Sequence, residues 1–146
     1  MAHTARLAVA VLVALVVGVT TGCGDSPISA AHIEQALSTT FANRVHLQVR
    51  AMGLPEKPAA DFGVKARCRK LMGDRQSGSG EWACTVDWTG PEGQARRDQF
   101  DLFVATDGCF SANAEAATLG GHVVTRADGI DVRNLLYSFD ACFETT

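Results

Sequence analysis

The sequence predicts an α+β domain: an N-terminal amphipathic helix packed on an antiparallel β-meander and stapled by two disulfides. Three observations lead there. Apolar residues recur at helical spacing across residues 29–52, a period of two takes over after residue 63, and short turn sequences separate the alternating runs.

The helix comes first. Ile33, Leu37, Phe41, Val45, Val49 and Met52 follow one another at spacings of four and three, which places them in one stripe. Ser29 is a suitable N-cap, and Gly53 and Pro55 mark the exit. Residues 45–51 also alternate with period two, as a half-buried strand would. The continuous helix is favoured because the stripe crosses that region unbroken. After a linker at Pro55–Pro58, residues 64–69 alternate small apolar with basic side chains, and Gly73–Gly80 reads as a hairpin loop. Trp82, Cys84, Val86 and Trp88 share one face of a second strand, and 90–93 is a turn. A third strand over 97–106 buries Phe100, Leu102 and Val104. Asp107-Gly108 reads as a two-residue type I′ turn into a fourth strand at 109–113. A weaker hairpin follows, with residues 122–126 and 130–132 around Asp128-Gly129.

The chain has five cysteines. Cys68 and Cys84 flank the first hairpin and fall side by side on its core face. Read across a two-residue turn, Cys109 pairs with Thr106 and points inward in phase with Val104. Cys142 lies in a terminal segment that has little else to hold it. Two disulfides follow, Cys68–Cys84 and Cys109–Cys142, each stabilising by about 3–4 kcal/mol in the chain-entropy model. No C-x-x-C occurs and no histidine falls at ligand spacing from a cysteine, so a metal site is not expected.

The first 22 residues read as a signal peptide. Arg6 precedes an apolar run of 13 residues, Leu7–Val19, which is well short of the roughly 20 that a membrane-spanning helix needs. Thr20-Thr21-Gly22-Cys23 resembles the bacterial lipobox, departing from it at Thr20, where an aliphatic residue is usual. The resemblance implies cleavage before Cys23 and diacylglycerol on that cysteine, with or without an N-acyl chain. No other cofactor is expected. Residues 23–28 would then be a tether and 29–146 one folded domain. Five or six extended residues at about 3.5 Å each hold that domain within roughly 20 Å of the membrane. Arg6 is the single basic residue before Cys23 and no acidic one precedes it. Beyond the leader, the 13 basic side chains therefore drop to 12 against 16 acidic, a net charge of −4. That balance gives no reason to expect nucleic acid as a partner.

No nucleophile–base arrangement, zinc-protease helix or phosphate-binding loop occurs, so no catalytic residue is nominated. His32 and His46 lie about 20 Å apart by helical rise. Asp98 and Asp101 point to opposite faces of their strand, and Asp128, Asp131 and Asn134 read as turn residues. Two features suggest a contact surface. Lys65, Arg67 and Arg69 share one face of the first strand, with Glu81 and Asp87 as candidate counter-charges. Phe103 and Phe110 read as cross-strand neighbours opposite Phe100 and Leu102, to be covered by Leu135, Leu136 and Phe139 or left as an apolar patch.

The lipobox with Cys23, E-W-A-C-T-V at 81–86, T-D-G-C-F at 106–110 and R-N-L-L-Y-S-F-D-A-C-F at 133–143 resemble small actinobacterial lipoproteins of uncharacterised function. The resemblance implies a stapled extracytoplasmic domain on the cell membrane and brings no activity with it. The expected role is non-enzymatic binding of an envelope protein or other envelope component. The alternative is an accessory module holding a small molecule or lipid between helix and sheet. A small hydrolase is the least supported reading.

Overall fold

The computed structural model describes residues 28–145; the signal peptide, Cys23 and most of the tether lie outside the described residues. Helix α1 (Ala30–Ala51) starts where Ser29 accepts a hydrogen bond from the His32 N–H at 3.3 Å. It runs without a break through the stretch that also alternates. Leu47 decides between the two patterns: a strand would bury it with Val45 and Val49, whereas in the helix it is 45% exposed. At the C-terminal end the Leu54 N–H reaches the Val49 carbonyl, with Gly53 at φ 69° making the reversal.

A 3₁₀ turn at Ala59–Phe62 buries Phe62 and leads into strands β1 (Lys65–Lys70), β2 (Gly80–Thr89), β3 (Ala95–Val104) and β4 (Cys109–Ala114). After the short helix α2 (Ala116–Leu119) come β5 (Val123–Thr125), β6 (Asp131–Arg133) and β7 (Ser138–Cys142). Strands β1 to β4 form the expected meander, and β7 adds antiparallel to β4, giving the order β1-β2-β3-β4-β7. The weaker hairpin exists as the pair β5–β6, but it stands apart as a second small sheet.

Helix α1 covers one face of the five-stranded sheet, so this is an α+β arrangement with one helix on an antiparallel sheet and two disulfides. Phe41 is the centre of the contact. Its ring meets Trp88 and Phe100 edge-on at 5.4 and 5.5 Å and lies 6.4 Å from Phe139. Ile33, Leu37, Phe41 and Val45 are essentially inaccessible, as are Trp82, Val86, Phe100 and Val104 beneath them. Strand β1 lies at the sheet edge, yet its outward N–H groups are occupied. Ala66 donates to the Ser38 hydroxyl, Cys68 to a Glu34 carboxylate oxygen and Lys70 to the Gln76 side-chain carbonyl, all at 2.8–2.9 Å. Side chains thereby block the addition of another strand at this edge.

Both expected disulfides form, but on opposite faces of the sheet. Cys68–Cys84 lies on the helix side, level with Phe100. Cys109–Cys142 lies on the outer side, which corrects the inward orientation predicted for Cys109. The cause is the turn between β3 and β4. Ala105, rather than Thr106, faces Cys109 through its N–H to the Cys109 carbonyl at 2.8 Å, so the loop has three residues. Gly108 has φ 83°, and a Cβ there would meet the Phe143 carbonyl at 2.5 Å, so only glycine suits the position. One extra loop residue reverses the facing of every side chain on β4.

The exposure of the two bridges differs accordingly: Cys142 is exposed, while Cys84 is 2% accessible. Under native conditions dithiothreitol should reduce Cys109–Cys142 well before Cys68–Cys84. Alkylation followed by peptide mass spectrometry reads the order, and prior modification of Cys68 and Cys84 would contradict it.

Candidate functional site

The outer sheet face presents the predicted basic residues. Lys65, Arg67 and Arg69 project from β1 on the face away from α1, and none makes a hydrogen bond or ion pair among the described residues. Of the two proposed counter-charges only Asp87 makes a side-chain hydrogen bond among the described residues, and its partner is Arg97. It takes a two-pronged hydrogen bond from Arg97 at 2.6 and 3.2 Å. The Arg97 hydrogen bond holds the Asp87 carboxyl below its ordinary range, with further help from the positive charge of Arg67. Across the strands the outer face reads in rows: Leu71, Glu81, Phe103, Ser111 and Asp140 in one, Arg69, Ala83, Asp101 and Asn113 in the next. Among the described residues no helix or loop lies over Phe103, which is 58% exposed.

Phe110 does not belong to this face. It pairs with Val104, is 3% exposed and packs toward Phe143 at 6.5 Å, so the predicted Phe103–Phe110 pair is corrected to Phe103 alone. The three-residue turn is the reason. The intended cover is also elsewhere, because Phe139 and Leu136 are buried on the helix side. Leu71, in the same row as Phe103, is 43% exposed and adds to the apolar surface there.

A second concave site lies where α1 ends. A cleft of about 190 Å³ is walled by Val45, Gln48 and Val49 of α1, by Met52 and Leu54 just beyond it, by Trp88, Pro91 and Arg96 of the β2–β3 hairpin, and by Leu119, Val124, Asn134 and Leu136. The chain reaches this shape through buried polar groups that the sequence reading passed over. Asn134, expected in a turn, is 4% exposed; its amide donates to the Leu119 and Gly121 carbonyls and its carbonyl accepts from the Leu136 N–H. Gln48 sits on the apolar stripe three residues after Val45, and its carbonyl takes the Leu135 N–H at 2.6 Å. A polar residue on that stripe was the one signal available in advance.

Beside the cleft, Asp98 is 1% exposed and accepts the Trp88 indole N–H at 2.5 Å, with Arg96 3.9 Å away. Arg96 lies over the Trp88 ring at 5.1 Å and donates to the Thr118 carbonyl at 2.9 Å. Among the described residues, no group of three or more His, Cys, Asp or Glu side chains could hold a metal ion. His46 contacts the Lys57 carbonyl and His122 stacks edge-on against Tyr137 at 4.3 Å. No described helix is long and apolar enough to cross a membrane. No family model, curated protein or solved structure matches the chain.

Asp98→Ala should cost about 2–3 kcal/mol, because it strands the buried indole N–H and uncouples Arg96. Asp98→Asn keeps an acceptor and should cost less than half of that. Urea denaturation of the three proteins checks the order, and an equal loss in both variants would contradict it.

Proposed function

We propose that the chain is an exported, lipid-tethered protein that works by binding an acidic envelope protein and carries no catalysis of its own. The observation that carries this reading is the outer sheet face, on which three cations without a close ion pair among the described residues, Lys65, Arg67 and Arg69, stand in line with the exposed Phe103 and Leu71 nearby. Cations that make no side-chain hydrogen bond or close ion pair among the described residues, next to bare apolar surface, suit a docking face of opposite charge. Two disulfides agree with folding in an oxidising compartment. The T-T-G-C sequence supports the tether, and Cys23 itself lies outside the described residues. Edge capping of β1 agrees with docking through the side chains of the face, since a partner strand cannot add at that edge.

Anchor and docking are tested separately. Intact mass of the membrane fraction should give Cys23–Thr146 plus diacylglycerol, less the four hydrogens lost in two disulfides, and Cys23→Ala should leave that fraction. A photo-crosslinking residue at position 103 should give one discrete adduct in the natural envelope. The adduct should vanish in the Lys65→Glu, Arg67→Glu, Arg69→Glu variant and be missing when the probe sits at position 130. An adduct that survives charge reversal, or equal labelling from both positions, would overturn the docking reading while leaving the anchor standing.

A further inference from the structure

We infer that the cleft at the end of α1 is a binding site for a small apolar acid, of the size of a short acyl chain or a single ring with a carboxylate. This site is independent of the outer sheet face. Three properties of its wall define the ligand.

The first is size and polarity. A dry cavity of roughly 150 Å³ lined by aliphatic and aromatic side chains takes up benzene, and drug-sized ligands need about 300 Å³ or more. At about 190 Å³, with Val45, Val49, Met52, Leu54, Trp88 and Leu136 in its wall, the cleft suits an apolar body of between roughly six and ten heavy atoms.

The second is an unmet donor. Gln48 is 8% exposed, and its carbonyl oxygen is committed to the Leu135 N–H. That bond fixes which end of the amide is which and leaves Nε2 without a hydrogen-bond partner among the described residues. A buried N–H left unsatisfied is costly, and a ligand oxygen in the cleft would satisfy it. Arg126 repeats the pattern at the rim. Its guanidinium lies against Gly53, between the lining residues Met52 and Leu54, and pairs through its terminal nitrogen with Asp128 at 2.9 Å, while its buried Nε has no hydrogen-bond partner among the described residues.

The third is the chemistry of the head group. Among the described residues no carboxylate side chain lines the cleft, and Arg96, which does, has its charge met by the buried Asp98 3.9 Å away. The unsatisfied groups are donors, so the site selects an acceptor-bearing head such as a carboxylate and disfavours an ammonium, which can only donate. The cleft opens about 30 Å along α1 from Ser29, at the end far from the tether.

The test uses the disulfide-bonded domain with octanoate, and with octylammonium as a control of matched chain length and opposite charge. Octanoate should give saturable NMR shifts confined to the Trp88 indole and the Gln48 side-chain amide, and octylammonium should give none there. Gln48→Met should weaken octanoate at least about tenfold, since a hydrogen bond to a charged group is lost. Val124→Trp fills the cleft from the opposite wall and should abolish binding without touching Gln48. A folded spectrum is required of each variant, and the second keeps the test open if the first does not fold. Equal shifts with octylammonium, no saturable change with octanoate, or octanoate binding unaffected by Val124→Trp would overturn the assignment.

Discussion

One helix has to cover one face of a five-stranded sheet, and the rest of the structure follows from how α1 does so. Its stripe from Ile33 to Val49 lies over Trp82, Val86, Phe100 and Val104, with Phe41 touching three aromatic rings at once. Because a single helix shields a single face, the other face stays in water, and charged and polar residues alternate with the core along every strand. The exposed rows that hold Arg69 and Phe103 are therefore a direct result of the two-layer arrangement. So is the cleft, which lies where the stripe runs out and the segment from Leu119 to Leu136 takes over as cover.

The contact between α1 and the sheet has a polar component as well. Glu34 and Ser38 leave the helix sideways and occupy the outward N–H groups of Cys68 and Ala66. Gln48 does the same near the other end for the Leu135 N–H. These bonds fix the helix in rotation and translation against β1 and against the terminal segment, which apolar packing alone specifies loosely. Polar residues on the helix flank thus determine which apolar residues meet.

Much of this was legible beforehand because it rests on periodicity. The stripe gave α1 to within a residue at each end, alternation gave β1 to β4, and both disulfides were paired correctly. The failures come from one turn and one long-range contact. Asp107-Gly108 has the composition of a two-residue turn, and nothing in it reveals that Thr106 joins the loop. That single residue moved Phe110 to the core and Cys109 to the surface. Strand β7 is short, and its partner β4 lies on the far side of α2 and the β5–β6 pair, so no local pattern announced the pairing. Of the candidate sites, the basic row and Phe103 were readable from strand phase. The cleft was not, since it joins residues from 45 to 136 through the buried amides of Gln48 and Asn134.

The two disulfides join the first cysteine of the folded region to the second and the third to the fourth, with separations of 16 and 33 residues. A chain that enters an oxidising space N-terminus first presents its thiols in that same order. Were the chain exported in this way with Cys23 held by lipid, Cys68 would meet Cys84 once one hairpin had emerged, before Cys109 or Cys142 was available, and Cys109 would then be left with Cys142. Under that condition consecutive oxidation would lead to the native set directly, and of the three possible connectivities of these four cysteines this is the one that requires no reshuffling.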